Sequence, residues 1–173
     1  MEDLSKNEFR KLKKGNLKTL EVIYERFSNS LCLYINSIVK NIEDSKDITQ
    51  DMFVEFFSFI DKYDPAKGSF KTWLYTTVGK NRALNFLEHK KTLRECEFVE
   101  EMFSTINKKS LILMDLHIRL TEQEYQIAIL KYVGDFTNEE LSNFFEISIS
   151  TVKRIVSKAK QKIEKYMEEI NYE

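Results

Sequence analysis

Four glycines and a single proline in 173 residues leave almost none of the turn chemistry that an all-β chain needs, so the natural reading is helices joined by short connections. The hydrophobic pattern agrees. From Asn7 to Ile42 the apolar residues Phe9, Leu12, Leu17, Leu20, Ile23, Tyr24, Phe27, Leu31, Tyr34, Ile35, Ile38 and Val39 recur largely at three- and four-residue steps. Gly15-Asn16 interrupts them, which predicts two amphipathic helices. Asp47 to Tyr63 places Met52, Phe53, Phe56, Phe57 and Ile60 on one stripe behind an acidic start and predicts a third helix. That helix ends at Asp64-Pro65-Ala66-Lys67-Gly68, after which Ser69 can cap a segment from Phe70 to Lys91. Thr92 to Met114 has mixed charge and no sustained period, and the helical pattern resumes at Leu116. The expected architecture is all-α: a helical domain over 1–91, a linker over 92–114 and a smaller helical domain over 115–173.

Several function classes fall away. Cys32 and Cys96 are far apart and lack the close Cys or His neighbours of a zinc site or redox pair, which fits buried packing residues in a reducing cytoplasm. No segment approaches the roughly 20 apolar residues of a membrane span, so no membrane insertion is expected. His89 and His117 are isolated, and neither a Gly-rich phosphate loop nor a nucleophile motif is present. The expectation is a non-enzymatic protein with no cofactor and no metal.

The formal net charge is only -1, but it is unevenly spread. Lys153, Arg154, Lys158, Lys160, Lys162 and Lys165 crowd the stretch from Ile149 to Lys165 against the single acid Glu164. Upstream, Asp115, Glu122, Glu124, Asp135, Glu139, Glu140 and Glu146 face only Arg119 and Lys131. Thr137-Asn138-Glu139-Glu140 spells a capping box that opens a short helix with Leu141, Phe144 and Phe145 inward. Glu146-Ile147-Ser148 makes a tight turn, and Ser148 can cap a longer helix that buries Val152, Ile155, Val156, Ala159, Ile163, Tyr166 and Met167. Short helix, turn and long basic helix is the helix-turn-helix layout. Its second helix turns Ser150, Thr151, Lys153, Arg154, Ser157 and Lys158 outward near its start, the part that enters a major groove in such motifs. Lys160, Lys162 and Lys165 lie further along and can reach only backbone phosphate.

Around the proline turn, Phe70, Trp73, Tyr75 and Phe86 interleave with Lys71, Lys80, Arg82, Lys90 and Lys91. Rings that stack on unpaired bases beside cations that hold phosphates are the chemistry of single-strand binding, although rings at helical spacing also fill cores. Asp47-Ile48-Thr49-Gln50-Asp51-Met52-Phe53-Val54, Tyr63-Asp64-Pro65, Gly68-Ser69-Phe70-Lys71-Thr72-Trp73-Leu74 and Asn81-Arg82-Ala83-Leu84-Asn85 resemble region 2 of the extracytoplasmic-function sigma factors. Leu120-Thr121-Glu122-Gln123-Glu124, Phe136-Thr137-Asn138-Glu139-Glu140-Leu141 and Ile147-Ser148 through Thr151-Val152-Lys153 resemble their region 4. Lys14-Gly15-Asn16 leading to Tyr24-Glu25-Arg26-Phe27 is similar to the family's first helices.

The resemblance implies an RNA polymerase sigma factor. Its region 2 would bind the clamp helices of the largest polymerase subunit and recognise and melt the -10 element. Its region 4 would bind the flap of the second-largest subunit and read the -35 element. By position, Asp47, Gln50, Asp51 and Glu55 would meet the polymerase clamp. Tyr63, Lys67, Ser69, Phe70, Lys71 and Trp73 would form the loop that captures a flipped base, while Lys80, Asn81, Arg82, Asn85, His89 and Lys90 would line the same strand. Ser148 would join Ser150, Thr151, Lys153, Arg154, Ser157 and Lys158 at the -35 element. Partners would be polymerase core and promoter DNA, and an anti-sigma factor is a further partner that such a family admits.

Four positions depart from the pattern. Trp73 to Asn81 is one residue longer than usual, so either the contacts from Lys80 to Asn85 shift register or a local bulge absorbs the excess. Glu88 stands where Arg is common, Thr121 where Pro is common, and Glu146 where Gly is frequent. A non-Gly residue at positive φ there costs about 1 kcal/mol. Rival readings are a stand-alone helix-turn-helix regulator, expected to dimerise on palindromic sites, and a degenerate sigma-like protein that contacts polymerase without opening promoters.

Overall fold

A computed structural model of the chain describes residues 3–94 and 119–171. The described residues are helical, without a strand, and the chain divides into two compact units, Met1–Lys90 and Lys91–Glu173.

In the first unit, α1 (Lys6–Lys13) opens on a capping box between Ser5 and Glu8. It closes at Gly15, whose φ of 73° allows its N–H to reach the Leu12 carbonyl (2.9 Å) and the Asn16 N–H to reach that of Lys11 (3.1 Å). Asn16 then caps α2 (Leu17–Val39), which buries Ile23, Phe27, Leu31, Tyr34 and Ile35. These are the two helices expected around the Gly15-Asn16 break. Helix α3 (Ile42–Val54) starts five residues before the expected Asp47, because Lys40 turns left-handed at φ 60° and Asn41 caps the helix through the Asp44 N–H (3.0 Å). A short α4 (Phe56–Phe59) and a 3-10 turn (Ile60–Lys62) then lead to the proline turn.

Beyond that turn, α5 (Phe70–Trp73) is capped by Ser69, as expected. It passes directly into a π-helical stretch, Leu74–Lys80, and then into α6 (Asn81–Arg94). A π turn holds one more residue than an α turn, so this stretch absorbs the extra residue between Trp73 and Asn81 without breaking the rod. The tight fit against α2 falls on Gly79, where an added Cβ would lie 2.9 Å from Leu31 Cδ1. Helix α6 carries the chain to Arg94; the remainder of the expected linker, with Cys96, lies outside the described residues. Cys32 is half-buried in α2, and burial pushes its thiol pKa up.

The second unit contains α7 (Glu122–Tyr132), α8 (Asn138–Phe145) and α9 (Ile149–Asn171). Its core is Tyr125, Ile129, Leu130, Phe136, Leu141, Val152, Ile155 and Ala159. The α7–α8 connection folds back sharply at Gly134, where an added Cβ would stand 2.9 Å from the Leu130 carbonyl oxygen and 3.1 Å from the Phe136 ring. Neither atom can yield without disturbing α7 or the core. Gly134→Ala is therefore expected to destabilise the second unit by about 1 to 3 kcal/mol, read as a lowered chemical-denaturation midpoint, with the first unit unaffected.

Candidate nucleic-acid interface

Both ends of the helix-turn-helix are pinned by local hydrogen bonds. At α8, Thr137 Oγ1 accepts from the Glu140 N–H (3.1 Å) while Glu140 Oε2 accepts from the Thr137 N–H (2.7 Å). The turn residue Glu146 adopts φ 55°, the left-handed conformation expected where Gly is frequent, and the Ile147 N–H returns to the Ser142 carbonyl at 3.1 Å. Ser148 Oγ accepts from the Thr151 N–H (3.2 Å) to start α9 and bonds the Ser150 and Thr151 hydroxyls at 2.8 and 2.9 Å. Ser148 is thus engaged in capping.

With Val152, Ile155 and Ala159 buried, the outer side of α9 presents Ser150, Lys153, Arg154 and Ser157, all exposed, with Thr151 half-buried at its edge. Lys153 and Arg154 form no ion pair among the described residues. Lys158, also exposed on α9 and expected to contact DNA, is paired in the free protein. Its ammonium lies 3.0 Å from Glu124 Oε1, and Lys162 donates to Glu124 Oε2 at 2.6 Å. Glu124 is 5% exposed and also accepts from the Thr121 N–H (3.0 Å), so one carboxylate ties α7 to α9 and caps α7. Thr121 therefore starts this helix by a capping box in place of the common Pro.

Burial alone would raise the Glu124 pKa, but the hydrogen bonds from Lys162, the Thr121 N–H and Lys158 outweigh it and hold the carboxyl at about 2. Because the folded value lies below the ordinary 4.5, the stabilisation is complete above pH 4.5 and disappears as the pH falls from 4.5 toward 2. Protection of the α7 and α9 amides, taken relative to their intrinsic exchange rates at each pH, should fall across that window. Glu124→Gln should exchange faster at pH 7 and lose most of this acid dependence, since it leaves two lysines without their counter-charge.

In the first unit, the turn after Tyr63 is built on Asp64. Its carboxylate accepts from the Ala66 N–H (3.0 Å), its carbonyl accepts from the Lys67 N–H (3.0 Å), and Gly68 takes φ 151°. The Tyr63 hydroxyl donates to the Gly68 carbonyl at 3.1 Å and closes the loop from beneath. Phe70 and Lys71, expected to touch DNA, are instead buried. The Phe70 ring is fully enclosed by Phe27, Phe56, Tyr63 and Trp73 at centroid distances of 5.7, 6.1, 5.4 and 5.6 Å, and Lys71 is 4% exposed. Tyr63 is itself 8% exposed, so of the residues expected to form this loop Lys67 is exposed and Ser69 and the Trp73 ring are half-buried. Two α5 N–H groups are occupied: those of Phe70 and Lys71 donate to the Asp3 carboxylate at 3.2 and 2.9 Å. Asp3 carried no sequence signal, being 67 residues away.

Lys80 at the end of the π-helical stretch and Asn81, Asn85 and His89 of α6 are exposed. Arg82 and Lys90 are half-buried and paired. Arg82 donates to Glu55 Oε2 at 2.6 Å and lies over the Phe59 ring at 5.9 Å, while Lys90 bonds Asp44 and sits 5.4 Å from the Phe86 ring centre. The Arg82–Glu55 pair joins the side expected to meet DNA to the side expected to meet polymerase. Half-exposed pairs of this kind are weakly held in water and can exchange one anion for another. Asp47, Gln50, Asp51 and Glu55 are all exposed along α3 and its C-terminal cap. Beside them on the same helix Val54 is 76% exposed, an apolar side chain that helical periodicity alone did not single out.

Residues 23–92 match the family Sigma-70 region 2. Over 98% of this chain and 100% of the relative, the sequence is 21% identical to the ECF RNA polymerase sigma factor SigW of Bacillus subtilis (strain 168). It is also 21% identical to SigM of the same organism, over 84% of this chain and 93% of that one. Residues 23–92 thus carry a sigma-70 region 2, and nearly the whole chain is similar to extracytoplasmic-function sigma factors. Its role lies in transcription initiation. The fold agrees with two solved structures. CnrH in complex with the cytosolic domain of CnrY superimposes with a TM-score of 0.63 at 17% identity, covering 93% of this chain and 95% of that one. The sigma factor RpoE in complex with the anti-sigma factor NepR from Bartonella quintana gives 0.64 at 15% identity, covering 87% and 98%.

Among the described residues, no helix of this sigma factor is long and apolar enough to cross a membrane, and no cluster of His, Cys, Asp and Glu could hold a metal.

Proposed function

We propose that this sigma factor directs RNA polymerase core to promoters by reading two DNA elements with its two units. The observation that carries the proposal is the outer side of α9: Lys153 and Arg154, exposed and free of ion pairs among the described residues, on the first turns of a capped helix-turn-helix helix. Arg and Lys at that position can donate to guanine O6 and N7, with Ser150, Thr151 and Ser157 beside them for phosphate or base edges. This is the -35 reading surface. The exposed row Lys80, Asn81, Asn85 and His89, with Trp73, Lys67 and Ser69 at its end, takes the melted -10 strand, and Arg82 and Lys90 join it by exchanging Glu55 and Asp44 for phosphates. Asp47, Gln50, Asp51 and Glu55 around Val54 form the surface for the polymerase clamp.

The role is non-enzymatic. An anti-sigma factor is a further expected partner, as the similarly folded sigma factor RpoE is in complex with the anti-sigma factor NepR. The formal net charge of -1 fits a protein that binds DNA weakly alone and draws most of its phosphate affinity from the polymerase.

Run-off transcription from a randomised promoter library, with bacterial core polymerase alone or with this protein, tests the proposal. New starts downstream of a shared pair of elements are expected. Arg154→Ala should relax the preference at one position of the upstream element by about 1 to 3 kcal/mol while core binding persists. Core binding without new starts would indicate a degenerate sigma-like protein, and absence of both would favour a stand-alone regulator.

A further inference from the structure

Asp3, Phe9 and Lys13 have no part in the function proposed above, yet all three reach the loop between Tyr63 and Ser69. The Asp3 carboxylate accepts from the N–H groups of Phe70 (3.2 Å) and Lys71 (2.9 Å), where the chain leaves the loop into α5. The Phe9 ring of α1 meets the Tyr63 ring edge to face at 5.2 Å, where the chain enters the loop. Lys13 lies 3.5 Å from Asp61, just before that point. The start of the chain therefore braces the loop at both ends.

At the exit, Asp3 completes a cap that Ser69 leaves unfinished. Ser69 Oγ accepts only from the Thr72 N–H (3.1 Å), and the first N–H groups of a helix have no partner within it. With Asp3, the amides of Phe70, Lys71 and Thr72 all have acceptors. Asp3 is held in turn: its carbonyl accepts from Arg26 Nη1 at 3.4 Å, and Arg26 binds Glu8 at 2.7 Å. The arm before α1 is thus strapped to α2 and to α5 together.

Asp3 is also exposed, and a carboxylate beside a surface for phosphates repels them, so its place there is unfavourable unless it serves the loop. Its service is to fix the loop in advance. Lys67 and Ser69 lie between the braced positions Tyr63 and Phe70, and Trp73 follows in α5. A loop already held in shape takes up a base without first losing conformational freedom of its own.

We propose that Asp3 is a positioning residue for base capture: through the Phe70 and Lys71 amides it holds the start of α5, so that the loop receives a flipped base of the -10 strand in one fixed shape. This rests on the promoter-opening function proposed above. The probe is a set of fork-junction promoters carrying the elements recovered by run-off transcription. Each non-template base of the -10 element is replaced in turn by an abasic site. Binding by polymerase core with the full-length protein is measured on every fork, and the abasic site at the captured base should weaken wild-type binding most.

Asp3→Ala should weaken binding to the intact fork about fivefold, the scale of a lost helix cap, and leave binding to that abasic fork unchanged, so the abasic penalty shrinks by the same factor. Asp3→Glu, which keeps both acceptor oxygens, should restore the penalty. Arg26→Gln, which frees the arm from α2, should shrink the penalty too, and it carries the test if Asp3→Ala does not fold. A purely structural role would lower the active fraction and weaken both forks equally, and that outcome overturns the proposal. An unchanged penalty also overturns it, as does tighter binding to every fork, which would make Asp3 only a repelling charge. If the wild-type protein with core binds the intact and abasic forks alike, the base-capture reading itself fails.

Discussion

The first unit is organised around the burial of one ring. Phe70 is the first residue after the Ser69 cap, and it inserts among Phe27 from α2, Phe56 from α4, Tyr63 from the proline turn and Trp73 from its own helix. Each aromatic contact contributes about 0.5 to 1.5 kcal/mol beyond area burial, and truncating such a ring costs about 3 to 5 kcal/mol. The consequence is positional. With Phe70 anchored, the exposed tip from Asp64 to Gly68, the half-buried Trp73 and the start of the α6 row are held by packing, so whatever they meet finds them already placed.

The second unit reaches the same end by charge. Glu124 pairs with Lys158 and Lys162 and uses them to fasten α9 to α7, which leaves Lys153 and Arg154 as the unpaired cations held outward near the start of the helix among the described residues. A basic helix is thereby divided between fastening and display. The division helps a chain with a formal net charge of -1 to offer concentrated positive surfaces, because acids beside them are tied up within their own unit, as Glu8 is to Arg26 and Glu124 is to two lysines.

Much of this was legible in the residues. The Gly15-Asn16 break, the Ser69 and Ser148 caps, the Thr137–Glu140 capping box and the left-handed Glu146 all follow from local chemistry, and each sits where the sequence placed it. What escaped depends on distant partners. Nothing local marks Lys40 as left-handed, so α3 was expected to begin at Asp47. Phe70 and Lys71 were placed at DNA by position in the family resemblance, while the alternation of rings and cations left a core role for Phe70 open; α2 and α4 decide for burial of the ring. Lys158 lies on the outward side by periodicity, but its flexible stem turns to Glu124, 34 residues earlier in the chain. The added residue before Asn81 left two outcomes open, and the choice fell to the π-helical stretch because Leu31 and Ile35 of α2 pack against Gly79 within it.

The central claim is that the first unit holds one strand of an opened promoter while the second unit reads the duplex upstream. Permanganate oxidation of unstacked thymines in the -10 element measures this most directly, in complexes of polymerase core, this protein and a promoter recovered by run-off transcription. The account expects non-template thymines to become reactive only when core and protein are both present, with the upstream element protected in the same complex. Thymines that stay unreactive while the upstream element is protected would contradict it.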